Sequence, residues 1–343
     1  MLRISLSNSE VSTLQGLLHD LASEYHSAEE TKFLEDACVI AQEIPKRLRL
    51  LVNDYKLRES EGICVISGYP IDDAKVGRTP AHWKLRNGTS PALEEEMLLV
   101  LFGSLLGDVF GWGTQQDGHI VHDVMPIKGH EHEQLGSSSE ELLTWHIEDA
   151  FHPYRGDYLC MMCLRNPDHV ATTVASIDAV KLKPEHVKIL FEPRFNIRPD
   201  ESHLEKNRSE LYSQTDASGD LVESAFSRIN EMNTRPEKLP VLFGAPQSPY
   251  LRIDPYFMDN LPDDEEAQQA LDALVQAVDA ALYDLVLQTG EICFLDNYRV
   301  VHGRKQFKAH FDGYDRWLKR INITRDLRKS RNARTSCEAR IIF

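Results

Sequence analysis

The stretch Thr144-Trp145-His146-Ile147-Glu148-Asp149-Ala150-Phe151 constrains this chain more than any other. It follows a Ser-rich turn, Gly136-Ser137-Ser138-Ser139, and leads into the apolar run Tyr158-Leu159-Cys160-Met161-Met162-Cys163-Leu164, which reads as a strand. In an extended backbone, residues two apart share a face. His146 and Glu148 therefore aim an imidazole and a carboxylate at one point. Such a pair is part of the 2-His-1-carboxylate triad, which holds Fe(II) on one side and leaves the other side open. A His and a Glu also meet by chance on solvated strands, so the rest of the chain must supply a second histidine and something to hold a co-substrate.

His302 is the partner the sequence offers. It ends the segment Tyr298-Arg299-Val300-Val301-His302-Gly303-Arg304 and precedes a glycine, which lets backbone or ligand approach closely. Arg316 opens a last strand running to about Thr324. Arg316, Leu318, Arg320 and Asn322 alternate onto one face, and Trp317, Ile321 and Ile323 onto the other. Two arginines on one strand face are costly unless they meet anions. Carboxylate ligands gripped bidentately would satisfy them; so would pairing with Asp312, Asp315 or other acids of the chain.

The remaining elements surround this set. Residues 8–26 follow a helical period, with Ser7 or Ser9 to cap them, and 29–56 repeat the pattern with a break or kink at Pro45. Residues 62–70 read as a short buried strand, 77–92 as loop and 91–108 as helix. Residues 109–140, rich in Gly, His and Asp, read as a long functional loop with short strands. A short helix is expected at 184–193 and a long one at 263–288, closed by Gly290. Leu251 to Asp254 is a strand end, and 291–297 a strand. Residues 198–237 are polar, a possible lid insert or a solvated loop. No repeat or linker divides the 343 residues, so the expectation is one domain over 1–343.

A net charge of -16 disfavours nucleic-acid and membrane-surface partners. No apolar run is long enough to span a bilayer, and Met1 to Ser5 open no signal-peptide core. The six scattered cysteines read as reduced thiols, hence a cytoplasmic location. Cys160 and Cys163 form a C-x-x-C, but within an apolar strand they pack as small hydrophobes. His130-Glu131-His132 sits in a polar loop without a third ligand, and His119, His122, His152 and His169 stand at no usable spacing.

In order and spacing these motifs resemble the Fe(II)/2-oxoglutarate oxygenases of the clavaminate synthase-like group, above all the amino-acid β-hydroxylases, including the arginine hydroxylases of viomycin and streptothricin biosynthesis. The likeness rests on His146, Glu148, His302, Arg316 and Arg320. It also rests on the stretches Gly107–Trp112, Thr114–Gly118, Cys163–Asp168 and Asp315–Asn322, and it covers about residues 8 to 335. It implies a double-stranded β-helix (jelly-roll) core flanked by helices, with Fe(II), 2-oxoglutarate and O2 as the reacting set. By the same resemblance His146, Glu148 and His302 would bind iron. Arg316, with Thr172, would pair with the distal carboxylate of 2-oxoglutarate, and Arg320 would hold the carboxylate of an amino acid. Gln115 and Glu148 would receive its α-amino group, and the turn at Gly136 and Ser137 would contact its carboxylate. Asp254 falls where the arginine enzymes place an acid against the guanidinium. Those enzymes have a second Asp two residues on, whereas this chain has Tyr256.

The implied reaction is hydroxylation of C3 of a free basic amino acid, L-arginine or a cyclised arginine such as enduracididine or capreomycidine. Two other readings stay open at this point. One keeps the chemistry for another free or carrier-tethered amino acid. The other is a non-catalytic jelly-roll sensor with a structural metal. Oligomeric state is not legible in the sequence.

Overall fold

The computed structural model describes residues 1–86, 88–208 and 219–343. Strand β1 (Leu2–Ser5) precedes helices α1 (Asn8–Glu24), α2 (Thr31–Ile40) and α3 (Lys46–Arg58), then β2 (Ile63–Ser67), α4 (Asp73–Val76) and α5 (Leu93–Ser104). Strands β3 (Asp108–Trp112), β4 (His122–Val124), β5 (Leu143–His146), β6 (Tyr158–Arg165) and β7 (Thr172–Ser176) follow. Next come α6 (Pro184–Leu190), β8 (Phe195–Asn196), α7 (Gly219–Thr234), β9 (Lys238–Leu239), β10 (Leu242–Ala245), β11 (Ser248–Leu251) and α8 (Glu265–Ala281). The last strands are β12 (Tyr283–Leu285), β13 (Ile292–Asp296), β14 (Val300–Arg304), β15 (Trp317–Thr324) and β16 (Ile341–Ile342).

Local signals start and stop these helices. Ser7 and Glu10 form a capping box on α1, the Ser7 amide donating to Glu10 Oε2 at 2.9 Å. Pro45 is the N-cap of α3, so the 29–56 run breaks there as its missing N–H requires. Asp264 caps α8 through the Ala267 amide at 3.2 Å.

The larger sheet has the order β1-β2-β13-β6-β15-β3-β16, with β4 also on β15; the smaller has the order β12-β7-β14-β5. Strand alternation sorts their side chains into three layers. Leu159, Met161, Cys293, Leu295 and Leu318 point inward and meet Val174 and Val300 of the smaller sheet. Tyr158, Cys160, Met162, Phe294 and Ile321 point outward onto α1, α3 and α5 through Leu14, Leu48 and Phe102. On the far side Trp145, Ala175 and Val301 pack on α6 and α8 through Leu190, Leu271 and Leu274. Two sheets closed face to face with helices outside are the jelly-roll core that the resemblance implies. Cys160 and Cys163 are buried free thiols, and burial pushes Cys163 up to about 12, as packing residues require. Among the described residues no helix is long and apolar enough to cross a membrane.

Three expectations are corrected. The helix expected over 263–288 ends at Ala281, because Tyr283–Leu285 pairs with Thr172–Val174 and so brings Leu285 and Leu287 between the sheets. Gly290, with φ of +82°, belongs to the turn into β13, where an added Cβ would lie 1.8 Å from the Tyr69 carbonyl oxygen. The helix expected over 91–108 is the shorter α5. The 198–237 insert is not plain loop: α7 buries Val222, Ala225, Phe226 and Ile229 along one face. Residues 209–218 of that insert lie outside the described residues.

Strand β4 is stapled to β15 on its outer face. Asp123 accepts from Trp317 Nε1 at 2.7 Å, Lys319 Nζ at 2.6 Å and Arg86 Nε at 2.8 Å. Burial opposes its charge, yet Lys319 and Arg86 hold its carboxyl down at about 2. Removing one member of a buried ion cluster strands the others, so Asp123→Ala should cost about 3–5 kcal/mol in urea unfolding. The folded-state value lies below the ordinary value of about 4. This stabilisation is therefore complete above pH of about 4 and is lost as pH falls toward about 2. The gap between wild type and Asp123→Ala should narrow over that window.

Candidate active site

His146 is the last residue of β5 and His302 stands directly opposite it in β14. The register is possible because residue 303 is glycine: an added Cβ would lie 2.5 Å from the Leu143 carbonyl oxygen and 2.8 Å from Thr173 Oγ1. Glu148 lies beyond the strand, in a turn, and not on a continued strand face as the alternation argument assumes. The side-chain amide of Asn297 substitutes for a neighbouring strand there. Its Oδ1 accepts from the Glu148 amide at 2.9 Å, and its Nδ2 donates to the Glu148 carbonyl at 3.0 Å.

Glu148 Oε2 lies 3.6 Å from His146 Nε2 and 3.2 Å from His302 Nε2, and the three ligand atoms fall within 4.8 Å of one another. His146 Nδ1 is 2.8 Å from the Thr144 carbonyl. A carbonyl only accepts, so Nδ1 carries the proton and Nε2 presents its lone pair to the centre. Burial raises the Glu148 carboxyl, but Arg320 and the two histidines outweigh it and hold it well below the usual range. The histidines move apart. Burial opposes the charge of His146, but Glu148 and Asp254 raise it to about 9, so a metal ion would displace a proton from Nε2 on binding, whereas burial lowers His302. The charges of His146 and Arg320 add to that lowering, and His302 Nδ1 has no hydrogen-bond partner among the described residues. Two imidazoles and a carboxylate with open space beside them fit iron(II).

Both predicted arginines face inward, and the acids next to them in sequence do not pair with them. Asp315 accepts from the His310 and Phe311 amides, each at 2.7 Å, and Asp312 from the Tyr314 amide at 2.8 Å. Arg316 is buried, and its contact to Thr172 Oγ1 is long at 3.4 Å. No carboxylate pairs with it among the described residues, and burial lowers it to about 10. A guanidinium so placed calls for an anionic ligand. Arg304, two residues after His302, is a second buried cation. It donates to Ser138 Oγ at 2.7 Å, and burial with the charge of Arg316 lowers it to about 9. Arg320 reaches Glu148 Oε1 and, at 2.8 Å, His122 Nδ1.

The other predicted residues line the same cavity: Gln115, Gly136, Ser137, Thr172, Asp254 and Tyr256. Gln115 donates to Ser202 Oγ at 2.5 Å and accepts from Arg320 at 3.4 Å. Asp254 is buried, and that burial, with the charge of Asp200, raises it to about 6 against the opposing effect of His146. Tyr256 is 55% exposed and so stands at the rim. His130 hydrogen-bonds Ser137 Oγ at 2.9 Å and lines the cavity.

Sequence reading missed several residues of this cavity. Arg304 shares a strand face with His302, so period two would have found it. Asp200 and Ser202 come from the polar insert, where no periodicity singles them out. His203, fully buried, bonds Asp149 Oδ1 at 2.9 Å and Thr114 Oγ1 at 2.6 Å, tying the insert to the turn after Glu148. Asp149 and Asp200 approach it closely, but Trp112 Nε1 already occupies the other Asp149 oxygen at 2.6 Å.

Comparison with known proteins agrees with this geometry. Residues 55–322 match the family described as taurine catabolism dioxygenase TauD, TfdA family. The chain is 44% identical to the enduracididine beta-hydroxylase of Streptomyces hygroscopicus, with 100% of both chains covered. It is 43% identical, again over 100% of both, to the L-ornithine/L-arginine 3-hydroxylase of Catenulispora acidiphila. The crystal structure of the non-heme iron oxygenase OrfP with Fe, succinate and (3S)-hydroxy-L-Arg superposes with a TM-score of 0.93 at 44% identity, covering 100% of each chain. A second OrfP structure, with Fe and alpha-ketoglutaric acid, gives 0.87 at 41%, covering 99% of this chain and 100% of that one. The chain belongs to the TauD/TfdA dioxygenase family, as an iron- and 2-oxoglutarate-dependent oxygenase.

Proposed function

We propose that this oxygenase hydroxylates C3 of a free basic amino acid, L-arginine or a cyclised arginine such as enduracididine. The observation that carries the reading is a pair of opposite charges flanking the triad, with Arg320 against Glu148 and Asp254 acting on His146. The two charges suit the two ends of one amino acid whose middle carbons face the metal. The relatives named for enduracididine and for arginine act at the β or 3 position.

His146, Glu148 and His302 hold the iron, and Arg316 with Thr172 takes the distal carboxylate of 2-oxoglutarate. When bound, iron(II) with 2-oxoglutarate and O2 supplies the oxidising power that replaces an unactivated C–H by C–OH, with succinate and CO2 released. The chain's own part is binding, orientation and exclusion of water. Arg320 grips the amino-acid carboxylate, aided by backbone groups of Gly136 and Ser137. Gln115 and Glu148 receive the α-amino group. Asp254 faces the guanidinium, and Asp200 adds a second negative charge to that side, where Tyr256 supplies only a phenol at the rim. The described part of the insert, through Ser202 and Asn207, lines the cavity. Arg320 also favours a free substrate over a carrier-tethered one, which has no carboxylate to pair. Glu148 fills the coordination position that a halogenase leaves for halide.

Two measurements test this. Turnover of arginine, ornithine, lysine, citrulline, glutamine and the cyclic guanidines, followed by mass spectrometry, should show a gain of one oxygen with guanidino substrates. Asp254→Asn should lower that turnover more than about a hundredfold, since an uncompensated buried cation costs about 3–5 kcal/mol. Oxygen gain confined to neutral amino acids, with Asp254→Asn harmless, would remove the guanidino reading. Separately, Arg316→Met should raise the KM for 2-oxoglutarate by about 10- to 100-fold, the worth of a charged hydrogen-bonded pair, and leave amino-acid affinity near wild type.

A further inference from the structure

His122 stands directly opposite Arg320 in the pairing of β4 with β15. Its ring is buried. Nε2 lies 2.9 Å from the His119 carbonyl oxygen, so the ring proton sits on Nε2 and Nδ1 carries a lone pair. That lone pair accepts from Arg320 Nη2 at 2.8 Å.

The segment bearing His122 is itself fixed from behind. Glu29, between α1 and α2, accepts from the Ile120 amide at 2.9 Å and the Val121 amide at 2.7 Å, and pairs with His119 Nδ1 at 2.7 Å. Arg86 donates to the Val121 carbonyl at 2.5 Å and to Asp123. The imidazole is thus held on an anchored segment where it accepts from the guanidinium, whose Nη2 also approaches Gln115 Oε1 at 3.4 Å. Nη1 of Arg320 is engaged by Glu148, while Nε is buried without a partner among the described residues.

We infer that His122 is a positioning residue for Arg320, a neutral acceptor that pins one edge of the guanidinium and leaves its remaining donors for the carboxylate of the amino-acid substrate. The choice of imidazole has a physical reason. An Asp or Glu at this position would also orient Arg320, but would cancel the charge that must attract the ligand carboxylate. The inference rests on the reading that Arg320 takes that carboxylate.

The test compares L-arginine with L-argininamide, which lacks the anionic carboxylate, in wild type, His122→Phe and His122→Asn. Wild type should prefer arginine; no preference would overturn the role given to Arg320 and this inference with it. His122→Phe keeps the volume and loses the acceptor. It should raise the KM for arginine by about 10- to 100-fold, the scale of a charged hydrogen bond. The KM values for argininamide and for 2-oxoglutarate should change by less than about threefold, because neither uses the oriented donors. His122→Asn restores an oxygen near the position of Nδ1 and should recover most of the preference. If wild type discriminates and His122→Phe discriminates equally well, the inference fails while the role of Arg320 stands. It also fails if the two substrates suffer alike, if His122→Asn is no better than His122→Phe, or if neither variant folds. If only His122→Phe fails to fold, His122→Gln, which displaces the acceptor, takes its place with the same expected loss.

Discussion

A guanidinium buried in a protein is costly until its donors are met, and β15 together with the residue just before it places two, Arg320 and Arg316, on the inner face. The same strand presents Lys319 to the outside, where Glu96 at 2.7 Å and Asp123 at 2.6 Å neutralise it. The outer cation is satisfied by the fold. Of the inner ones, Arg320 has a carboxylate that is also a metal ligand, and Arg316 has a hydroxyl and no carboxylate among the described residues. What the fold leaves unsatisfied on that face, ligands must complete. The charge imbalance of one strand thereby specifies that the cavity takes anions near the metal.

The acidic composition hides this arrangement, since a net charge of -16 says nothing about where positive groups collect. Period-two alternation exposes it, because Trp317, Ile321 and Ile323 are apolar enough to mark the outer face and so assign Arg316 and Arg320 to the inner one. His302 was legible for a similar reason, standing between apolar valines and a glycine. Glu148 was found by an argument only partly right: the strand stops at His146, and a side-chain amide from Asn297 carries the chain onward. No local pattern announces a long-range contact of that kind. Asp200, Ser202 and His122 were illegible because their roles exist only after distant segments meet. The long helix was overextended because Tyr283 to Leu287 keeps an apolar content that either a helix or a strand could use, and pairing with β7 decides the matter.

The alternative of a passive metal-binding jelly roll loses its footing on two grounds. A closed structural site fills its coordination sphere with protein atoms, whereas here three ligands face a cavity lined by arginines. Family membership adds the second ground, since residues 55–322 match the TauD/TfdA dioxygenase family and the whole chain aligns with an enduracididine beta-hydroxylase.

The pairing of His302 with His146 has a consequence for quality control. Ligands on adjacent strands come together only when β5 and β14 meet in one alignment, and a slip by a single residue would turn one imidazole to the opposite side of the sheet. Gly303 penalises a bulkier residue at the same crossing. Iron occupancy is therefore a gauge of strand alignment. A molecule with β5 shifted against β14 would have its two imidazoles on opposite sides of the sheet and would hold no metal, so iron content would count the correctly assembled molecules.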